Sequence, residues 1–230
     1  MIRIGISIIL PVFPLFTIGH SNHAFERFAA LLGEHGVVLV ADVRSMPVSA
    51  RHPQFRRKAL EQALAKRGIR YLFLGQELGA RRSERVAYED GVAVYERIAQ
   101  LPAFRDGIER VKEIAASYRA ALMCAERAPL DCHRTLLVCR QLRNLIAGGI
   151  HHILADGSLQ SHEEVERRLV ADLGTNEVQP DLFAGETEAP LERAYRQRGL
   201  AIAYRQKPAA GGKPVAATVS PHSRRTHRAR

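Results

Sequence analysis

The chain has 230 residues, of which 46% are hydrophobic and 25% charged, which excludes a disordered or collagen-like polypeptide and allows one large domain or two small ones. Three cysteines exclude a disulfide-built secreted scaffold. The formal charge of +10 is uneven: Lys207 to Arg230 holds six bases and no acid, and without them 28 bases face 24 acids, leaving a body of +4 that charge alone does not make a nucleic-acid binder.

Ile2 to Phe16 is nearly all apolar. The run lacks the basic start and small-residue cleavage site of a signal peptide, is broken by Pro11 and Pro14, and falls short of the ~20 residues of a membrane span. It reads as an extension, residues 1–15, leading into a first strand; the expected location is cytoplasmic, with no membrane partner. Phe16 to Ile18 reads as a buried strand, followed by Gly19, His20 and Ser21. Phe25, Phe28, Ala29 and Leu32 fall at helical spacing up to Gly36. Val37 to Ala41 is a β-branched strand that ends in Asp42, Val43 and Arg44.

A helix near Gln54 to Arg67 follows, with Arg56, Arg57 and Lys58 on a solvated face, then a strand over Ile69 to Leu74. The next loop carries Gly75, Glu77, Gly79, Arg81 and Arg82. Helices are expected over Asp90 to Gln100 and Ala103 to Ser117, the second with Phe104, Ile108, Val111 and Ala115 on one face. A strand over Arg119 to Cys124, a helix from Cys132 to Ala147 and a fifth strand over Ile150 to Ala155 come next. Ser161 and Glu164 form a capping box before Val165, Leu169 and Leu173, and Leu191 to Ala203 is a last helix.

Alternation of this kind predicts one α/β domain over residues 16–206, a mostly parallel sheet with helices on both faces in three αβα layers. Residues 207–230 have almost no large apolar residue and are expected to be a disordered basic tail, either an arm that touches phosphates or a plain solvated extension.

Ligands of such sheets sit beyond the carboxyl ends of the strands. Those ends carry His20 and Ser21, Asp42 and Arg44, Cys124 and Glu126, and then Cys132, His133 and Arg134 at a helix start. A helix start and a neighbouring cation favour a thiolate, so Cys132 is the candidate nucleophile, with His133 or His20 as base. Glu126 and Cys124 join this catalytic set, Cys124 either as a second thiol or as a small apolar residue. His20, Ser21, Asp42, Arg44 and Arg134 are the candidate substrate-binding residues, Arg44 and Asp42 being equally readable as an ion pair. Arg81 and Arg82 lie well for phosphate contact.

No metal is expected: Cys124, Cys132 and His133 lack zinc-finger spacing, and adjacent Cys-His residues rarely aim at one ion. His151 and His152 read as strand-edge residues, and Cys139 as core. No Walker loop or G-x-G-x-x-G is present, so no cofactor is expected.

The chain resembles the bacterial and archaeal family called domain of unknown function 488. The matching blocks are Thr17-Ile18-Gly19-His20-Ser21, Asp42-Val43-Arg44 with Pro47 and Ser49, and Gly68-Ile69-Arg70-Tyr71 with Leu78-Gly79. They continue with Cys124-Ala125-Glu126, Cys132-His133-Arg134, and Asp181-Leu182-Phe183 with Ala194-Tyr195 and Ala203-Tyr204-Arg205. The resemblance covers about Phe16 to Gln206 and departs at Ala80, where many members have a second glycine. It implies a single α/β domain with these motifs on the strand ends, and no particular reaction.

The expected function is an enzyme using the Cys/His/Arg rim on an anionic substrate, nucleotide-like or a nucleic acid, with an oligomeric state the sequence leaves open. The alternatives are a non-catalytic nucleotide- or nucleic-acid-binding module with the tail as its arm, and a thiol redox protein built on Cys124 and Cys132.

Overall fold

A computed structural model of the chain describes residues 12–174 and 188–206. The basic tail, most of the apolar extension and the Asp181-Leu182-Phe183 block lie outside the described residues. Strand β1 (Leu15–Gly19) leads through helix α1 (Phe25–Glu34) to β2 (Leu39–Asp42), and α2 (Arg57–Ala65) leads to β3 (Arg70–Phe73). After the single turn α3 (Gly75–Leu78) come the short strands β4 (Tyr88–Glu89) and β5 (Val92–Ala93), then α4 (Tyr95–Ala99) and α5 (Pro102–Ser117). Strand β6 (Ala120–Cys124) is followed by a π-helical stretch over Arg134–Cys139 that runs into α6 (Arg140–Leu142). The chain continues through β7 (Ile150–Ile153), β8 (Leu159–Ser161), α7 (His162–Gly174) and α8 (Pro190–Ile202).

The main sheet has six strands in the order β3-β2-β6-β1-β7-β8. The first five are parallel, and β8 pairs antiparallel to β7. Both faces are covered, as parallel sheets require. Phe16, Ile18, Val40, Ala121 and Met123 pack on one side against Phe28, Leu31, Leu32, Phe55, Leu60 and Leu64 of the α1–α2 region. Leu39, Ala41, Ala120 and Leu122 pack on the other against Phe104, Ile108 and Val111 of α5 and Leu136 and Leu142 beyond β6. The result is the expected three-layer αβα domain. Among the described residues no helix is long and apolar enough to cross a membrane.

Three local expectations are corrected. Asp90 and Gly91 do not begin a helix; with φ of 47° and 74° they turn the β4–β5 hairpin, and the helix is confined to Tyr95–Ala99. Two consecutive left-handed residues match the twist of paired strands, which is why Asp-Gly suits such turns. The helix expected over Cys132 to Ala147 is instead the π-helical stretch plus one α-turn. Finally, β7 is an interior strand because β8 covers its outer side, so His151 and His152 are not edge residues. The expected capping box is present: Glu164 accepts from the Ser161 N–H at 2.8 Å, and Ser161 Oγ accepts from the Glu164 N–H at 3.2 Å.

Candidate functional site

Strands β1, β2 and β6 are neighbours, so their carboxyl ends meet on one rim. At the end of β2, Asp42 and Arg44 form a buried ion pair. Asp42 Oδ1 accepts from the Arg44 Nε–H (2.9 Å) and backbone N–H (3.1 Å); Oδ2 accepts from Arg44 Nη2 (2.6 Å) and the Tyr71 hydroxyl (2.7 Å). Four accepted bonds leave this carboxylate no free lone pair, so it anchors Arg44 rather than acting as a base.

Arg44 Nη1 donates to His20 Nε2 at 3.2 Å, and His20 Nδ1 donates to the Ser21 carbonyl at 2.9 Å. Arginine is a donor only, so these two bonds fix the neutral Nδ1–H tautomer. Burial, and then the charge of Arg44, lower the His20 pKa to about 4. The ring stacks on Phe55 with centroids 4.3 Å apart. Ser21 takes a left-handed φ of 47°, and among the described residues its hydroxyl donates to Asn22 Oδ1.

The second group lies on the ten residues from Cys124, the last of β6, to His133. Glu126 Oε2 accepts from the Cys124 thiol (2.8 Å) and lies 3.0 Å from Cys132 Sγ, and His133 Nδ1 is 3.5 Å from Cys124 Sγ. The four ligand-type atoms of Cys124, Glu126, Cys132 and His133 all lie within 4.8 Å of one another. The reason the sequence reading discounted a Cys-His pair fails at this turn. Cys132 is extended (φ −134°, ψ 135°) and His133 helical (φ −61°, ψ −26°), so the chain bends between them and both side chains reach one point. His133 Nε2 donates to the Val43 carbonyl at 3.0 Å, which leaves Nδ1 as the nitrogen facing the sulfurs.

Burial drives the Cys124 thiol well above its usual value, assisted by the adjacent Cys132 and Glu126. Burial acts the same way on Cys132, but the Cys124 thiol, Arg134 and His133 together hold it well below. Desolvation of its carboxyl end, and then the charge of Cys132, raise Glu126 even though the residue as a whole is exposed. Burial works against a charged His133, yet its contacts with Cys132 and Glu126 outweigh that and raise it.

Arg134 lies wholly inside the protein, at 0% exposure. Its Nη1 donates to the Glu126 carbonyl (2.7 Å), Nη2 to that of Arg127 (3.3 Å) and Nε to Thr17 Oγ1 (3.4 Å). It does not line the cavity at the strand ends; it holds the loop that carries Glu126. The same loop presses on β1, where a Cβ on Gly19 would stand 1.9 Å from the Glu126 carbonyl oxygen. Gly19→Ala is therefore expected to destabilise by about 1–3 kcal/mol and to displace Glu126. A thermal melt with a crystal structure of the variant checks both; a wild-type melting point would show that the loop yields freely.

From Arg134 a hydrogen-bonded chain runs through the layer between sheet and helices. Thr17 Oγ1 meets His152 Nδ1 (2.8 Å), His152 Nε2 meets His162 Nδ1 (3.0 Å), His162 Nε2 meets the Tyr195 hydroxyl (2.9 Å), and that hydroxyl donates to Glu166 Oε1 (2.7 Å). The guanidinium can only donate and the carboxylate only accept, so every bond points from Arg134 to Glu166 and both imidazoles are neutral Nε2–H tautomers. Burial is the largest cause lowering both pKa values.

A cavity of about 350 Å³ opens over the rim, and Arg44, Cys124, Glu126 and His133 line it. Cys132 is 1% exposed and does not line it; Cys124, itself only 2% exposed, does. His20 and Asp42 stand behind Arg44, Arg134 lies beneath the loop, and Ser21 lies away from the cavity.

The other walls include Ser45, Arg81, Tyr95 and Tyr204. Arg81 lies 4.7 Å over the Tyr204 ring, and its N–H donates to Ser45 Oγ at 2.9 Å. Arg82, by contrast, is occupied by Glu84 and two carbonyls. Tyr95 and Tyr204 arrive from elements far along the chain. Nothing local marks them as wall residues, although Tyr204 belongs to one of the motif blocks.

A family model described as domain of unknown function DUF488 matches residues 24–140. No curated protein and no solved structure matches the chain.

Proposed function

The chain belongs to the DUF488 family, and from the cavity at its strand ends we propose that it is an enzyme acting on a small anionic, nucleotide-like substrate. The observation that carries this reading is the largely desolvated Glu126 carboxyl group held between two cysteine sulfurs on the cavity floor, 2.8 and 3.0 Å from them. Crowding ionisable groups in a desolvated place is destabilising, and a surface that only binds has no use for it.

In this reading Arg81 at the mouth holds the anion, assisted by the charge of Arg44, which is almost wholly buried in the cavity wall. Arg81 makes no ion pair with a described residue, so its charge is available. Glu126, the exposed member of the floor group, moves a proton to or from the reacting atoms, and Cys124 and His133 are the groups that substrate meets beside it. The cavity volume suits a mononucleotide-sized molecule rather than a polymer.

The test is a substrate screen over nucleotides and other phosphate esters, repeated with two variants. Glu126→Gln is expected to lower kcat/KM by at least ~100-fold with the fold intact. Arg81→Ala is expected to raise KM about tenfold with kcat nearly unchanged. Full turnover in Glu126→Gln removes the proton-transfer role. Tight binding of a nucleotide with no turnover in the wild-type protein leaves a binding module instead.

A further inference from the structure

Two cysteine sulfurs, a carboxylate and an imidazole converge from the end of β6 onward, and the neighbouring Arg134 side chain gives its hydrogen bonds to other groups. The Arg134 guanidinium is taken up by the carbonyls of Glu126 and Arg127 and by Thr17. Its backbone N–H lies 3.4 Å from Cys132 Sγ, a dipole directed at that sulfur. The donor set is soft, of the kind that selects zinc-class ions over magnesium or calcium.

Geometry agrees with chemistry. With Zn–S at ~2.3 Å and Zn–N at ~2.0 Å, a tetrahedral site has an S···N edge of ~3.5 Å. Cys124 Sγ and His133 Nδ1 are already 3.5 Å apart. The imidazole is also oriented as a ligand should be. Its far nitrogen donates to the Val43 carbonyl, the outer hydrogen bond that metal-binding histidines commonly make.

The two thiol–carboxylate distances, 2.8 and 3.0 Å, are shorter than the ~3.5 Å of a tetrahedral S···O edge. The carboxylate is therefore the group that shifts when an ion enters. Glu126 is also the one exposed residue of the four, while the other three are buried.

We propose that Cys124, Cys132 and His133 hold a divalent ion of the zinc class on three sides, with Glu126 and the cavity on the fourth. All the ligands come from one ten-residue stretch, which Arg134 braces from beneath and which packs on Gly19. The proposal deepens the enzyme reading, and rests on it only for the use of the open fourth side.

The probe is Co²⁺ added to the full-length chain after stripping with a strong chelator. About one equivalent is expected to bind with a thiolate-to-cobalt charge-transfer band and tetrahedral d–d bands, and Zn²⁺ is expected to displace it. Cys124→Ser, Cys132→Ser and His133→Gln should each weaken binding more than ~100-fold, beyond the loss of an outer-shell partner. Glu126→Gln should change it by less than about tenfold, and Cys139→Ala not at all.

Absence of the charge-transfer band overturns the proposal, as does an equal loss in Cys139→Ala. If the ligand variants fail to fold, the wild-type melting temperature decides: Zn²⁺ should raise it, and an unchanged value overturns the site. Turnover that survives removal of the metal overturns the catalytic use of the open fourth side and leaves the enzyme reading standing. A bound metal without turnover of any tested ester does the reverse.

Discussion

Replacing Arg134 with Met is expected to destabilise the fold by about 3 kcal/mol or more. Two effects oppose each other. Removing a fully buried guanidinium relieves its desolvation cost, and well-packed apolar replacements of buried charges are sometimes neutral. Here the partners remain behind. The carbonyls of Glu126 and Arg127 and the hydroxyl of Thr17 stay inside without their donors, and each stranded polar group costs about 1–3 kcal/mol. The neighbouring Cys132, whose low pKa leans on this guanidinium, loses support as well.

The stranded groups outweigh the relief, because the thioether offers them no hydrogen-bond donor. Arg134→Lys should recover part of the loss, since an ammonium reaches one carbonyl but cannot span two with a planar fork. Equilibrium unfolding in urea measures both variants. A loss under about 1 kcal/mol in Arg134→Met would mean that desolvation dominates.

The chain from Thr17 to Glu166 predicts acid sensitivity. His152 and His162 are neutral and buried with lowered pKa values, so at mildly acidic pH the unfolded chain binds protons that the folded chain refuses. Stability from these groups is complete above the unfolded histidine pKa of ~6.5 and falls as the pH drops toward the folded values. Each histidine contributes a slope of up to about 1.4 kcal/mol per pH unit in that window, or up to about 4 kcal/mol for the pair by pH 5. His20, lowered to about 4, acts in the same direction. His133 and Glu126, both raised, act in the opposite one.

Because these contributions overlap, the decisive quantity is a difference. His152→Gln can still accept from Thr17 and donate to His162 but takes up no proton. Urea unfolding at pH 7, 6 and 5 should show its slope shallower than wild type by about 1.4 kcal/mol per pH unit. Identical slopes would mean that His152 is not held neutral.

Much of the scaffold was legible because single-element signals survive tertiary packing. Phe104, Ile108, Val111 and Ala115 lie on the buried face of α5 as their spacing requires, and Ser161 with Glu164 caps α7 reciprocally. The strand ends were legible too, since polar residues after β-branched runs mark the rim of a parallel sheet. The hairpin at Asp90-Gly91 had a local signal, but helical periodicity downstream obscured it. Strand β8 is three residues long and leaves almost no pattern.

The site was legible by residue but not by role. Arg134 reads from sequence like any cation beside a cysteine, and only its burial shows that it holds a loop. The convergence of Cys132 and His133 depends on a change of backbone conformation between adjacent residues, which residue types do not encode. His152 depends on Thr17, His162 and Tyr195, contributed by three other elements.

The place of β6 in the sheet has a consequence for how the protein is made. Strands β1 and β2 pair with β6 and not with each other, so the slot between them stays open until Cys124 has been synthesised. Roughly 80 residues separate the end of β2 from the end of β6, about 4–16 s of ribosome time at ~5–20 residues per second. Through that interval the nascent chain carries two apolar strands with unpaired inner edges, the kind of surface that recruits chaperones or aggregates. The strand that fills the slot ends in the first residue of the Cys124–His133 stretch, so the growing chain gains its thiols only as it loses its exposed edges.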